Sequence, residues 1–189
     1  LLLVGLGNPG SNYTNTRHNI GFKIIDAINA HFKLSKQKPK FKGLLTTGNI
    51  DEKKIYAIKP LTFMNNSGTA IKELIDYFKI DAKDVIVFHD DMDIDFGKIK
   101  AKFGGTSAGH NGIESIDKFI GKDYSRVRIG IGHPKQKKKV NNHVLEDFKE
   151  DEEEKIKEIT ENIVKQIPTL IDKKIDLFSS KVNQNLNGI

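Results

Sequence analysis

Residues 1–32 of the chain read LLLVGLGNPGSNYTNTRHNIGFKIIDAINAHF. The opening apolar run predicts a buried strand, and a glycine-rich, polar loop follows it. After this loop, Ile20, Ile24 and Ile28 recur at the spacing of one face of a helix. A strand, a loop and an amphipathic helix in this order are the repeating unit of α/β proteins, so this stretch favours that fold class.

The same alternation continues along the chain. Two β-rich runs, 44–50 and 54–58, are separated by a short acidic turn and predict an antiparallel hairpin. A helix is predicted from Ser67, which can cap its start, to about Lys79. The remaining predicted strands span residues 85–88, 99–103 and 127–131. Together these elements predict an α/β sandwich with a mostly parallel central sheet.

The C-terminal part has a different composition. From about Glu150 to residue 180 it predicts an amphipathic helical segment, whose acidic first turn suits the positive end of the helix dipole. Pro168 is expected to kink or divide this segment, and the polar last dozen residues are expected to fray. A chain of 189 residues is long enough for one buried core, so we treat residues 1–189 as a single domain.

Composition limits the chemistry. Cysteine is absent, which excludes disulfides, thiolate catalysis and thiolate metal sites and fits a reducing compartment such as the cytoplasm. The 31 Lys and Arg residues exceed the 25 Asp and Glu residues, and the net charge of +6 favours an anionic partner without identifying it as nucleic acid. No run approaches the roughly 20 apolar residues of a membrane span. Because the sequence begins with Leu1 and not with Met, we expect one or a few residues to precede it.

The motif VGLGNPG at residues 4–10 matches the G-x-G-x-x-G pattern of dinucleotide sites. However, the polar run after Pro9 delays the helix, so that no helix N-terminus lies where a pyrophosphate would bind. Asp26 falls inside the predicted helix, whereas a Rossmann fold needs an acidic residue at the end of its second strand. We therefore favour a tight glycine turn over a nucleotide site.

His18 lies in a polar loop directly before the first predicted helix, beside Arg17 and Asn19. A helix N-terminus disfavours the imidazolium, so this position suits a neutral histidine that accepts a proton. Surface and capping histidines are common, and the residue alone does not establish catalysis. His31, on the apolar side of the same helix, is predicted to be structural.

A cluster of carboxylates follows the predicted strand at 85–88. It contains Asp90, Asp91, Asp93 and Asp95 in the motif HDDMDID. Open α/β folds place their sites at the carboxyl ends of parallel strands. Three interpretations stay open: a metal site, because hard cations bind several oxygens; an aspartate that orients a catalytic histidine; or solvated turn carboxylates.

Three other segments contain residues suited to binding. The glycine-rich loop 103–112 offers backbone N–H groups for a phosphate and the Asn111 amide for a carbonyl or a ribose hydroxyl, although a mobile surface loop fits equally well. The strand with Arg126 and Arg128, and the lysines after it, form either phosphate contacts or a solvated surface. Phe63 is either a core residue or a platform for a base or peptide.

In this order the chain contains the motifs VGLGNPG, TRHN-G, TFMN-SG, HDDMD, GHNG and RIGIGHP. Their conjunction, from residue 1 to about residue 180, resembles the bacterial peptidyl-tRNA hydrolase family. The resemblance implies a monomeric, single-domain, three-layer α/β/α sandwich with a mixed, mostly parallel twisted sheet. It also implies metal-free and cofactor-free hydrolysis of the ester between a peptide and the terminal ribose of prematurely released tRNA. The implied partners are peptidyl-tRNA and the large ribosomal subunit that carries stalled peptidyl-tRNA.

The resemblance also assigns roles by position. It implies that His18 is the general base, that Asp90 stabilises the basic form of His18, and that Asn8 discriminates N-blocked peptidyl-tRNA from free aminoacyl-tRNA. Further implied contacts are Tyr13, Phe63, Asn65 and Asn111 with the tRNA or peptide end, and Lys102 and Arg128 with tRNA phosphates. The stretch GGTSAGHNG departs from the glycine-and-histidine version of some members, so loop contacts before Gly109 are not carried over.

Two other functions fit parts of the sequence. A non-catalytic RNA-binding relative would keep the basic residues, but it has no need of the pair formed by His18 and Asp90. A metal-dependent phosphatase or nuclease built on HDDMD predicts chelator sensitivity and equal importance of Asp90, Asp91 and Asp93.

Overall fold

The architecture was taken from a computed structural model, and residues 1–134 and 140–186 are described. The strands are β1 (Leu2–Gly5), β2 (Lys38–Lys40), β3 (Gly43–Ile50), β4 (Lys53–Pro60), β5 (Val85–Asp91), β6 (Ile99–Phe103) and β7 (Ser125–Gly130). The α-helices are α1 (Ile20–His31), α2 (Ser67–Phe78), α3 (Asn111–Ile120), α4 (Val140–His143), α5 (Glu150–Lys165), α6 (Ile167–Ile171) and α7 (Ile175–Leu186).

The strands form one seven-stranded sheet in the order β2-β3-β4-β1-β5-β7-β6. The four central strands β4, β1, β5 and β7 run parallel. The outer strands β2, β3 and β6 pair antiparallel with their neighbours. The sheet is therefore mixed, as expected, with a parallel centre that brings the carboxyl ends of β1, β4 and β5 to one edge.

Each face of the sheet buries its own apolar cluster, because side chains alternate between faces along a strand. Leu3 of β1 packs with residues of α1, α5, α6 and α7 on one face. Leu2 and Val4 of the same strand pack with α2 and α3 on the other face. This arrangement gives the expected three-layer α/β/α sandwich.

The first glycine of VGLGNPG allows α1 to lie against β1. A Cβ atom at Gly5 would collide with the backbone carbonyl of Gly21 in α1, and one at Gly21 would collide with the backbone of Leu6. Gly10 has a φ of 108°, a conformation that side chains rarely adopt. The motif VGLGNPG therefore allows close packing and a tight turn. This agrees with the glycine turn that the sequence analysis favoured over a nucleotide site.

The C-terminal region differs from the expectation. Pro168 does divide it, since α6 begins one residue before this proline. The expected fraying of the last dozen residues is wrong as far as Leu186, because α7 covers the outer edge of β6. The Asn183 side chain accepts from the backbone N–H of Ile99 at 3.0 Å and donates to the Ile99 carbonyl at 2.7 Å. These bonds hold the helix on the strand.

One strand and one side chain also differ from what the sequence predicted. The edge strand β2 was not predicted, because its sequence Lys-Pro-Lys has no apolar side chain to signal a strand. His31 is exposed and does not belong to the core, since it is the last residue of α1. Within the described ranges, no helix is both long and apolar enough to cross a membrane.

Candidate active site

A cleft of about 500 Å³ opens at the carboxyl ends of β1, β4 and β5. It lies where open α/β folds place their sites. The site residues expected from the sequence that line it are Asn8, His18, Phe63, Asn65, Asp90 and Asn111. The fold thus gathers side chains that are far apart in the sequence into one cavity, whose size suits the end of a large substrate.

His18 and Asp90 form a hydrogen-bonded pair in this cleft. His18 lies in a single 3₁₀ turn, Arg17–Asn19, that leads into α1, and Asp90 is near the end of β5. The His18 Nδ1 atom is 2.8 Å from Asp90 Oδ1, and both residues are almost fully buried. Because a carboxylate only accepts hydrogen bonds, Nδ1 carries the proton in neutral His18 and Nε2 keeps its lone pair. This is the arrangement of a histidine that can act as a base.

His110 is a third member of this group, and the sequence did not assign it a role. Its Nε2 atom is 3.0 Å from Asp90 Oδ1. Its Nδ1 atom accepts from the backbone N–H groups of Gly112 and Ile113 and so caps the start of α3. Since Nδ1 is used as an acceptor, the proton is on Nε2, which donates to Asp90. The available signal was a histidine in GHNG directly before a helix, where Ser, Thr, Asp and Asn are the usual caps.

The two histidines keep Asp90 ionised. Burial alone would raise the pKa of Asp90, but the electrostatic attraction to His18 and His110 and their hydrogen bonds outweigh burial and hold this pKa well below its ordinary value. Burial lowers the pKa of His18, but the charge and hydrogen bond of Asp90 outweigh it, so the pKa is raised. The expectation that the helix N-terminus would favour neutral His18 is therefore wrong, because the carboxylate dominates.

This pKa shift predicts the acid side of the pH profile. Only neutral His18 can accept a proton, so we expect kcat/KM to fall below a midpoint that lies above the ordinary histidine pKa of 6.5. The loss approaches about tenfold per pH unit far below this midpoint. The measurement is kcat/KM for N-acetyl-aminoacyl-tRNA as a function of pH at constant ionic strength. A midpoint below the ordinary value would contradict the dominance of Asp90 over burial.

The three carboxylates of HDDMD interact with different side chains and do not converge on one point. Asp91 Oδ2 accepts from Arg128 Nε at 2.7 Å, and exposed Asp93 is 3.0 Å from His133 Nε2. Within the described residues, the one group of three side chains that could hold a metal ion is His18, Asp90 and His110. A metal bound at His110 Nε2 would have to displace the proton that the helix cap keeps there. The side chains therefore suit a hydrogen-bonded group better than a metal site.

Asn8 is held so that its amide donor is left for the cleft. Its Oδ1 atom accepts from the backbone N–H of Met64 at 2.8 Å. Its own backbone is fixed by Asn19, which accepts from the Asn8 N–H and donates to the Asn8 carbonyl. The Nδ2 group of Asn8 thus faces the cavity as a donor, whereas Asn65 and Asn111 are exposed at the rim.

The remaining expected contacts lie elsewhere. Tyr13 is half-buried in the short turn Ser11–Tyr13, outside the part of the cleft wall formed by described residues. Lys102 on β6 and Arg128 on β7 are also outside it. Lys102 is paired with Arg126 across β6 and β7, and burial and the charges of Arg128 and Arg126 lower the pKa of Lys102. The lysines at 135–139, interpreted either as phosphate contacts or as a solvated surface, lie outside the described residues. In the loop before Gly109, where no contacts were carried over, Ser107 and Ala108 line the cleft.

Comparison with known proteins identifies the family. The family model described as peptidyl-tRNA hydrolase matches residues 2–188. A peptidyl-tRNA hydrolase of Pelagibacter ubique is 73% identical over 183 residues, which are 97% of this chain and 98% of that protein. One from Ehrlichia ruminantium is 46% identical and covers 96% of this chain and 93% of its own length. The crystal structure of peptidyl-tRNA hydrolase from Acinetobacter baumannii superposes with a TM-score of 0.90 at 34% identity, covering 96% of this chain and 93% of that one. The chain therefore belongs to the peptidyl-tRNA hydrolase family.

Proposed function

We propose that this chain hydrolyses the ester between a peptide and the terminal ribose of tRNA, with His18 as the general base on water and Asp90 as the group that orients it. The observation that carries the proposal is the buried bond between His18 Nδ1 and Asp90 Oδ1, which leaves His18 Nε2 for a water molecule in the cleft. A ribose leaving group makes this ester more reactive than an amide. General-base assistance of about 10²- to 10⁴-fold therefore suffices without a covalent intermediate.

The proposed reaction has two steps. His18 Nε2 takes a proton from water while the water oxygen attacks the ester carbonyl, and Asp90 stabilises the imidazolium that forms. The carbonyl oxygen gains negative charge and needs a donor, for which the side-chain amide of Asn8 or Asn65 is available. When the tetrahedral intermediate collapses, the ribose oxygen leaves and takes the proton from His18. The reaction needs no metal or other cofactor.

His110 supports this chemistry as a positioning residue. Its Nε2–H group donates to the same Asp90 oxygen that accepts from His18. Because α3 holds the other nitrogen of His110, this second donor approaches Asp90 from a fixed direction. Asp90 is thereby held in place and kept ionised while His18 changes its charge.

The donor of Asn8 gives a physical basis for discrimination between substrates. A blocked α-nitrogen brings an amide carbonyl, which can accept from Asn8 Nδ2. A free aminoacyl ester brings an ammonium group, which has only donors and would lose its hydration against another donor. The interaction reads the amide and not the side chain, so the site would accept many peptides.

We expect Asn8→Asp to reduce this discrimination. The carboxylate can still accept from the Met64 N–H, but the group that faces the cleft becomes a negatively charged acceptor, which favours ammonium over a carbonyl. The ratio of kcat/KM for N-acetyl-aminoacyl-tRNA to that for aminoacyl-tRNA should fall about tenfold or more. Asn12→Asp, which adds the same charge at an exposed position of the same loop, is the control. An unchanged ratio in Asn8→Asp would show that another group discriminates.

The other site residues complete the proposal. Lys102 and Arg128 would contact tRNA phosphates, so we expect binding to weaken as salt concentration rises. Contacts with the peptide or tRNA end are proposed for Tyr13, Phe63, Asn65 and Asn111. We further propose that the enzyme acts as a monomeric single domain in the cytoplasm, on free peptidyl-tRNA and on peptidyl-tRNA stalled on the large ribosomal subunit.

The test of this function is release of N-acetylated amino acid from charged tRNA in the presence of EDTA, with unacetylated aminoacyl-tRNA as the control. We expect fast cleavage of the blocked substrate only. Retained tRNA binding without cleavage would instead identify an RNA-binding relative. Loss of activity in EDTA would support the metal-dependent alternative.

A further inference from the structure

We infer that Arg17 is a positioning residue, whose guanidinium fastens the segment Val144–Phe148 against the turn that carries His18. This inference rests on the proposed role of His18 as general base. The segment forms one wall of the cleft through Val144 and Leu145. Arg17 thereby sets both the wall and the backbone position of His18.

The segment contains little regular structure of its own. It lies between α4, which ends at His143, and α5, which begins at Glu150. Backbone bonds tie it to the turn before α1: the His18 N–H donates to the Val144 carbonyl at 2.8 Å, and the Arg17 N–H donates to the Glu146 carbonyl at 3.0 Å. The general base and the cleft wall are therefore linked directly through the main chain.

The Arg17 side chain reinforces this link from the interior. It is only 3% exposed, an unusual burial for a guanidinium. Its Nη1 atom donates to the carbonyls of Asp147 at 2.6 Å and Glu146 at 3.1 Å. Its Nη2 atom is 2.6 Å from Glu152 Oε2, and the guanidinium carbon lies 5.3 Å from the centre of the Phe148 ring. A lysine, with a single nitrogen, could not make these contacts together.

Glu152 joins this arrangement to a helix. The oxygen that pairs with Arg17 also accepts from the backbone N–H of Lys149 at 2.8 Å and so caps the start of α5. The segment is thus held at one end by a capped helix and along its length by Arg17. Without the guanidinium, the Asp147 carbonyl would lose this donor, the Glu146 carbonyl would keep only the backbone N–H of Arg17, and Glu152 would lose its cation, so the segment would shift away from His18.

The proposed phosphate contacts are on other elements, since Lys102 is on β6 and Arg128 on β7. Loss of the Arg17 guanidinium should therefore affect the chemical step more than tRNA affinity. Because small displacements of a catalytic group reduce rates strongly, we expect Arg17→Ala to lower kcat by about tenfold or more. The dissociation constant of deacylated tRNA should stay unchanged.

The experiment compares Arg17→Ala with the unaltered protein on N-acetyl-aminoacyl-tRNA, with and without added guanidinium chloride at non-denaturing concentration. A positioning role predicts that guanidinium restores part of the lost kcat and that sodium chloride at equal concentration does not. An unchanged kcat, an absence of rescue in a folded variant, or a parallel loss of tRNA affinity would overturn the inference. If the unaltered protein shows no hydrolysis, the proposed function itself fails.

A second pair of variants keeps the inference testable if Arg17→Ala does not fold. Glu152→Gln keeps an oxygen to cap α5 but removes the charge that Arg17 faces. Glu153→Gln is the matched control, because Glu153 is the next residue of α5 and pairs with Lys23 of α1 at 2.8 Å without touching Arg17. We expect a lower kcat in Glu152→Gln and an unchanged kcat in Glu153→Gln. Equal kcat values in the two variants would overturn the inference.

Discussion

Replacement of His18 by alanine is expected to lower kcat for N-acetyl-aminoacyl-tRNA by about 10²- to 10⁴-fold, the usual contribution of a general base. The imidazole is the group whose free nitrogen faces the cleft while its other nitrogen is held by Asp90. Water that is not deprotonated attacks the ester slowly, so the loss should fall on kcat. Binding of deacylated tRNA should persist, because the proposed phosphate contacts are on β6 and β7.

The matched control for this substitution is His31→Ala. His18 lies in the turn before α1, whereas His31 is the last residue of this helix and is exposed. Removal of the His31 imidazole should therefore leave kcat unchanged. Both variants are assayed in EDTA by release of N-acetylated amino acid, and their folding is compared by circular dichroism. Activity of His18→Ala close to that of the unaltered protein would rule out His18 as the base.

Asp90→Asn is expected to reduce kcat by up to about 10⁴-fold, as in hydrolases where the aspartate behind a catalytic histidine becomes an amide. Asp90 Oδ1 accepts from both His18 Nδ1 and His110 Nε2. An asparagine has no charge to stabilise the imidazolium. If its NH₂ group turns towards His18, it donates to Nδ1 and forces the proton onto Nε2, so that the base loses its lone pair. The same change should move the acid midpoint of kcat/KM to lower pH.

Asp93→Asn separates this explanation from a metal site. Asp93 is exposed and pairs with His133, so its amide variant should keep nearly full activity if Asp90 acts through His18. A metal centre built on HDDMD would instead make the two substitutions similarly harmful and the enzyme sensitive to chelators. The comparison uses kcat for N-acetyl-aminoacyl-tRNA in EDTA and in added magnesium.

The local elements were predictable where a strong periodic pattern met a clear boundary. The amphipathic helix predicted from the spacing of Ile20, Ile24 and Ile28 is α1, and the hairpin predicted around the acidic turn is β3 and β4. Asp51 and Glu52 in this turn both have positive φ, as the type I′ hairpin turn requires. The strand β2 and the path of α7 were not predictable, because both depend on neighbours and not on their own apolar pattern.

The candidate site was predictable only in part. A histidine before a helix and an aspartate after a buried strand suggested His18 and Asp90, and the family resemblance joined them. Nothing in the local pattern indicated that His110 donates to the same carboxylate, since this contact depends on the loop that brings α3 to the end of β5. The sequence indicated only that Arg17 is a basic residue in a loop. In the structure its side chain is buried and donates to the carbonyls of Glu146 and Asp147, which are more than 100 residues away in sequence.

By itself the sequence determined the α/β alternation, the lack of thiol chemistry and the family, because periodicity, composition and ordered motifs are properties of the chain alone. The tertiary structure decided which polar side chains act together. The orientation of the Asn8 amide, the proton positions on His18 and His110, and the divergence of Asp91 from Asp90 depend on hydrogen bonds between distant segments. Such bonds form only after the strands have aligned, because their energy depends on distances of a few ångströms and on donor direction, which no local pattern specifies.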